Sequence, residues 1–194
     1  MHTPSAETLA NAARLLCAGG VAVIPTDTVY GIAAHPACPD AVRRICAIKG
    51  RPAGKPIALL ASGADAVTAF GAVFPPAAQR LADAYWPGAL TLVLPCGTGA
   101  EGFRVPAHGL TRSLLAACGG TLRVTSANLS GAMPALSAVE ALKDVGLEAD
   151  LVIDDGVSPG GVPSTVVKID ADGTLTLLRE GAIPSADILR TANA

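Results

Sequence analysis

The segment KGRPAGKP, residues 49 to 56, gathers three cations and two prolines in a chain with only 14 Lys and Arg among 194 residues. Pro52 and Pro56 stiffen the stretch, while Gly50 and Gly54 free its backbone. Lys49 and Arg51 leave the end of a helical pattern and converge ahead of the apolar run PIALLA. A K-x-R after a helix is commonly a solvated loop. Stiff, convergent cations suit phosphates instead, because arginine offers a bidentate fork and lysine a point charge.

Three further polar segments border strand-like runs, where open α/β sheets place ligands. PTDTVYG (25–31) follows VAVI. It reads either as a turn held by Asx and Ser/Thr bonds or as a small polar pocket, with Thr28 on a compact ligand and Tyr30 closing one side. TSANLSG (125–131) follows LRV and offers Ser126, Asn128 and Ser130, with Ala127 and Gly131 keeping bulk away. It is either a strand-to-helix cap or a cradle for a nucleotide's phosphates or ribose. GGVPSTVV (160–167) and LLREGAI (177–183) put Ser164 and Arg179 at facing ends of a hairpin.

Other chemistries lack their residues. His2, His35 and His108 are isolated, and there is no GxxxxGK[ST] phosphate loop. The five cysteines are scattered without C-x-x-C spacing, which points to neither a disulfide framework nor a zinc site. An enzyme of this composition works by positioning and charge stabilisation. Nucleotidyl and phosphoryl transfer is the class in which that suffices.

The elements that must hold these segments alternate. Residues 6–18 show helical spacing and stop at Gly19-Gly20, VAVIP is a strand, and PDAVRRICAIK is a helix with Pro39 at its start. PIALLA, LTLVLP, FRVP and GTLRVTS read as strands; 63–74, 76–85, LTRSLLAAC and SAVEALKDV read as helices. STVVKID and TLTLLRE form a closing hairpin. The pattern predicts one α/β domain over residues 1–194, its motif-bearing core at about 6–190, with a mixed sheet and flanking helices.

A hydrophobic content of 51% with only 3% aromatics predicts an aliphatic core. The apolar runs fall short of the ~20 residues of a membrane span, and no cations precede the first one, so neither a membrane nor a secretory signal is expected. These features predict a cytoplasmic protein. A net charge of −2 argues against a general nucleic-acid coat.

Taken in order, PTDTVYG, KGRP with KP following, WPGALTLVL, RVP, TSANLSG, STVV and LREGAI resemble the YrdC/TsaC family of threonylcarbamoyl-AMP synthases. The resemblance extends over residues 20 to 183 and is to the short form, without the extra C-terminal domain of longer members. It implies a single YrdC-like domain, a twisted mixed sheet with a deep concave face. The implied reaction makes threonylcarbamoyl-AMP and pyrophosphate from L-threonine, bicarbonate and ATP. Transfer proteins would then use the product to modify an adenosine of tRNA.

The family's K-x-R and S-x-N signature falls on Lys49, Arg51, Ser126 and Asn128, implied to be the catalytic set. The resemblance places Arg51, Lys55, Ser126, Asn128 and Arg179 at ATP, and Thr28, Arg104 and Ser164 at L-threonine. It implies no metal ligand on the chain; Mg2+ would come with ATP. Departures are the unmatched stretch CGTGAEG (96–102), Lys168 in place of an acid, and Leu60 where longer relatives have histidine. Two rivals remain: an RNA-binding module whose cationic face contacts tRNA, and a paralogue for carbamoyl transfer or nucleotide hydrolysis.

Overall fold

The computed structural model describes residues 5–52 and 54–194; residues 1–4, with His2, and Ala53 lie outside them. Among the described residues nine strands form one mixed sheet in the order β7-β1-β2-β6-β3-β5-β4-β8-β9. β1 (Val21–Ile24) lies between β2 (Gly31–Ala34), antiparallel, and β7 (Leu151–Val152), parallel. β6 (Thr121–Ser126) joins β2 to β3 (Leu59–Ala61), antiparallel to both. β5 (Gly99–Arg104) is parallel to β3 and antiparallel to β4 (Leu90–Cys96). β8 (Thr165–Ile169) is parallel to β4, and β9 (Leu175–Arg179) closes the sheet as a hairpin partner.

Strand alternation decides which face each helix covers. Val21 and Val23 face one core with α2 (Pro39–Lys49) and α6 (Ala138–Asp144). Ala22 and Ile24 face the other, with α1 (Ala6–Cys17) and α5 (Gly109–Ala117). Strands buried on both faces carry apolar residues at every position, and the burial of β1 and β2 is complete.

The β4–β8 half is different. Leu90, Leu92, Leu94, Phe103, Val167 and Ile169 pack on α3 (Ala64–Ala69), α4 (Pro76–Tyr85) and α7 (Ser185–Ala192). The alternate residues Val93, Val166 and Lys168 point the other way and are half-exposed. This half of the sheet therefore has one open face.

Local signals explain most boundaries. The Ser5 hydroxyl caps α1 by accepting from the Thr8 amide. α2 begins with Pro39 and ends at Gly50 in the left-handed conformation, φ 58°. Where sequence and structure differ, tertiary pairing prevails. GIAA, outside the sequence-based strands, becomes β2 because it lies between β1 and β6. The 63–74 helix is limited to Ala64–Ala69, as Ala72 bridges to Cys96. CGTGAEG is the tip of the β4–β5 hairpin, with Cys96 opposite Gly99. α7 is held by Ile188 and Ala192 on the core. No helix among the described residues is long and apolar enough to cross a membrane.

Candidate functional site

The 25–30 loop is built from its own hydroxyls. Thr26 Oγ1 donates to the Val29 carbonyl at 2.6 Å and accepts from the amides of Thr28 and Val29. This turn presents Asp27 and Thr28 to Arg104, at the end of β5. Arg104 is 6% exposed. Its Nη1 donates to Thr28 Oγ1 at 2.7 Å, its Nε donates to the Gly88 carbonyl at 2.9 Å, and its Nη2 pairs with Asp27. Burial pushes the guanidinium pKa down, Asp27 opposes this, and the like charge of Arg179 lowers it further. A guanidinium carries five N–H donors, so these three bonds leave others for a ligand.

The sheet register brings Arg179 to the same face. Thr91 pairs with Val166, and Val166 with Arg179. Arg104 lies one step beyond the Phe103–Leu92 pair, beside Thr91. The four residues thus form one cross-strand row on the open face. A β-bulge at Val166/Val167 makes this possible: Val167 faces Leu177, yet Val166 faces Arg179, so Leu178 is the extra residue. Arg179 Nη2 donates to the Ser164 carbonyl at 2.7 Å, and the Ser164 hydroxyl lies 2.8 Å from Thr91 Oγ1. Thr28, Arg104, Ser164 and Arg179 are brought together by this row and the adjoining loop.

The signature residues form a second group. Lys49, in the last turn of α2, is 3% exposed and donates to the carbonyls of Ser126 and Asn128. Burial, then the charges of Arg51 and Lys55, lower its pKa to about 8, with Asp144 opposing. The sequence grouped Lys49 and Arg51 as convergent cations; in the fold the Lys49 ammonium turns inward, where two carbonyls accept from it. Arg51 folds back over its loop, donating to the carbonyls of Pro56 at 2.6 Å and Lys55 at 3.2 Å, and Lys55 itself is exposed. The Ser126 side chain is half-exposed at the end of β6.

Asn128 Nδ2 donates to the carbonyls of Leu129 at 2.7 Å and Ala132 at 2.9 Å. Its Oδ1 is buried without a hydrogen-bond partner among the described residues. The Ala127 amide, donating to the Tyr30 carbonyl at 2.8 Å, links the two groups. Tyr30 does not close a pocket as its position in PTDTVYG suggested. It is fully buried, and its hydroxyl donates to the Gly156 carbonyl at 2.6 Å.

Residues that sequence reasoning passed over also shape the site. Asp27 is the ion-pair partner of Arg104, and Thr91 the buried hydroxyl partner of Ser164. Gly160 crosses so close to the 25–30 loop that a Cβ there would sit 2.6 Å from the Asp27 carbonyl oxygen. Asp27 and Gly160 both stand in quoted segments, yet only the fold shows which side chain they serve. Among the described residues, no group of three or more His, Cys, Asp or Glu could hold a metal ion.

The Sua5/YciO/YrdC family model, described as telomere recombination, matches residues 14–181. The chain belongs to this family. It is 34% identical over 191 residues to the threonylcarbamoyl-AMP synthase of Bacillus subtilis, covering 93% of this chain and 55% of that protein. Its structure resembles that of Pyrococcus abyssi Sua5 complexed with L-threonine, with a TM-score of 0.91 and 30% identity over 98% of this chain and 58% of the other. It also resembles Escherichia coli YciO, with a TM-score of 0.81 and 27% identity over 92% of this chain and 91% of the other. The chain spans just over half the length of the first two relatives. The α/β architecture, with its large mixed sheet and flanking helices, is thus that of the family.

Proposed function

We propose that the chain is a threonylcarbamoyl-AMP synthase, joining L-threonine, bicarbonate and ATP and releasing pyrophosphate. The observation carrying this reading is the convergence of Arg104 and Arg179 on Thr28, Ser164 and Thr91 across one open sheet face. Two cations facing hydroxyls suit an amino acid's carboxylate beside a polyphosphate. Membership of a family that includes named threonylcarbamoyl-AMP synthases, and a Sua5 relative complexed with L-threonine, supports it.

In this reading Thr28, Arg104 and Ser164 border L-threonine, while Arg51, Lys55, Ser126, Asn128 and Arg179 belong to the ATP side. The threonine amine captures bicarbonate as a carbamate with loss of water. A carbamate oxygen then attacks the α-phosphate, and pyrophosphate leaves. Because that nucleophile is anionic, no strong protein base is needed. The barrier is repulsion between an anion and a polyphosphate, which fixed cations reduce. Magnesium would accompany ATP, bound mainly by phosphate and water. The product would pass to tRNA threonylcarbamoyl-transfer proteins in the cytoplasm.

The test is incubation with all three substrates and detection of pyrophosphate with the labile adenylate. Pyrophosphate release that requires both threonine and bicarbonate is the expected result. Nucleotide hydrolysis indifferent to threonine would favour the paralogue. RNA affinity with a steep salt slope and no turnover would favour the RNA-binding module.

A further inference from the structure

Lys49 belongs to the cationic loop by sequence but to the 126–130 turn by contact. Its ammonium meets two carbonyls of that turn, and its own carbonyl accepts from the Ser130 amide at 2.9 Å. Carbonyl dipoles converging on one buried point repel one another unless a donor lies between them, and a charged donor is the strongest available. Asn128 closes the turn further along, its amide protons held by Leu129 and Ala132. The Arg51 guanidinium donates, among the described residues, to the Lys55 and Pro56 carbonyls of its own partly exposed loop and can exchange them for a ligand. The two cations of the K-x-R pair thus occupy different environments two residues apart.

We propose that Lys49 is a positioning residue, which braces the 126–130 turn from its buried side so that Ser126 is presented to the nucleotide, and that it does not touch the phosphates. This rests on the nucleotide reading above. The signature then divides its work. Lys49 and Asn128 set the shape of the turn, whereas Arg51 supplies charge.

The two roles differ in what they discriminate. A phosphate contact favours ATP over AMP and weakens as salt screens it. A brace supports the nucleotide site as a whole and is shielded from salt by burial. Lys49→Met should therefore weaken ATP and AMP by the same factor, roughly tenfold or more, leaving their ratio and the salt slope at wild-type values. Arg51→Ala should lower both the ratio and the slope. Calorimetry with each nucleotide at two salt concentrations reads these quantities. A selective loss of ATP affinity with a flattened slope in Lys49→Met would overturn the proposal.

A second measurement needs neither a nucleotide nor a variant. Lys49 faces Arg51, Lys55 and Asp144, and its pKa is about 8. Opening the turn would return Lys49 to its ordinary value of 10.5, so between pH 8 and 10.5 the opened turn binds a proton that the closed turn lacks. Hydrogen-exchange protection of the Ala127 and Ser130 amides, corrected for intrinsic rate, should therefore rise with pH relative to the β1 amides. Protection unchanged across this range would overturn the brace. A wild-type protein that binds neither nucleotide, yet shows this rise, would refute the nucleotide reading and leave the brace standing.

Discussion

Arg104 holds the Thr28 hydroxyl at 2.7 Å with one amino group and Asp27 with the other. The guanidinium is thereby fixed in plane before any ligand arrives, and the same turn supplies both partners. Removing Asp27 would leave a buried charge unpaired. Asp27→Ala should destabilise the fold by about 3 kcal/mol, the scale for breaking a buried pair from one side. Urea unfolding measures this, and a loss below about 1 kcal/mol would show the pair to be solvated.

Thr28→Val keeps the volume and removes the acceptor for Arg104. L-Threonine affinity should fall by roughly tenfold, the effect of one lost hydrogen bond to a charged group, while ATP affinity measured alone stays unchanged. Calorimetry with each ligand separately is the measurement. Equal losses for both ligands would mean that the row is not divided between substrates.

Arg51→Ala should reduce turnover by roughly 10²-fold, as losing one charge-stabilising donor does elsewhere. Arg51→Lys should recover part of it, because the charge remains but the fork is lost. Pyrophosphate release reads both variants. Wild-type turnover in the alanine variant would remove Arg51 from the mechanism.

The pH dependence of stability has a definite sign. Lys49 titrates near pH 8 when folded, below its ordinary value of 10.5. Between those values the unfolded chain holds a proton that the native state lacks, so this group makes stability rise with pH. The contribution is complete above 10.5 and is lost as pH falls through 8. Cys118 and Tyr30, both pushed up to about 12 by burial, oppose it from about pH 9 and 10 upward. Comparing wild type with Lys49→Met cancels those opposing groups. The wild type should gain stability relative to the variant from pH 8 to 10, and parallel curves would contradict the low pKa.

Gly160→Ala tests the close crossing directly. Its Cβ would meet the Asp27 carbonyl oxygen at 2.6 Å and the Thr28 Cα at 3.1 Å. The expected cost is about 1–3 kcal/mol of overpacking, together with weakened L-threonine binding. Thermal unfolding and calorimetry check the two parts, and a neutral substitution would show that the loops separate freely.

How much of this was legible in the sequence depended on whether a feature was local. α1 and α2 could be read from spacing, Pro39 and the following glycines, because capping is a property of neighbours. β2 could not, since Gly31, Ala33 and Ala34 have little strand preference and are strands only through β1 and β6. Ser164 and Arg179 were expected to be close, as hairpin ends must be. That Arg179 shares a face with Arg104 depends on a bulge, which no short pattern announced. Likewise, nothing in K-x-R distinguishes an inward lysine from an outward arginine. The difference lies in the Ser126 and Asn128 carbonyls, more than seventy residues away.

The half-covered sheet also bears on how such a site can change over generations. In β4 and β8 the residues that hold the core and those on the open face alternate one by one. A substitution at Val93, Val166 or Lys168 can alter the surface a ligand meets without disturbing Leu92, Val167 or Ile169 beneath. β1 and β2, buried on both sides, have no such freedom. New specificity would therefore arise more readily from the β4–β8 wall than from the strands carrying the 25–30 loop. The fold separates a part that can be retuned in single steps from one that must change together with its surroundings.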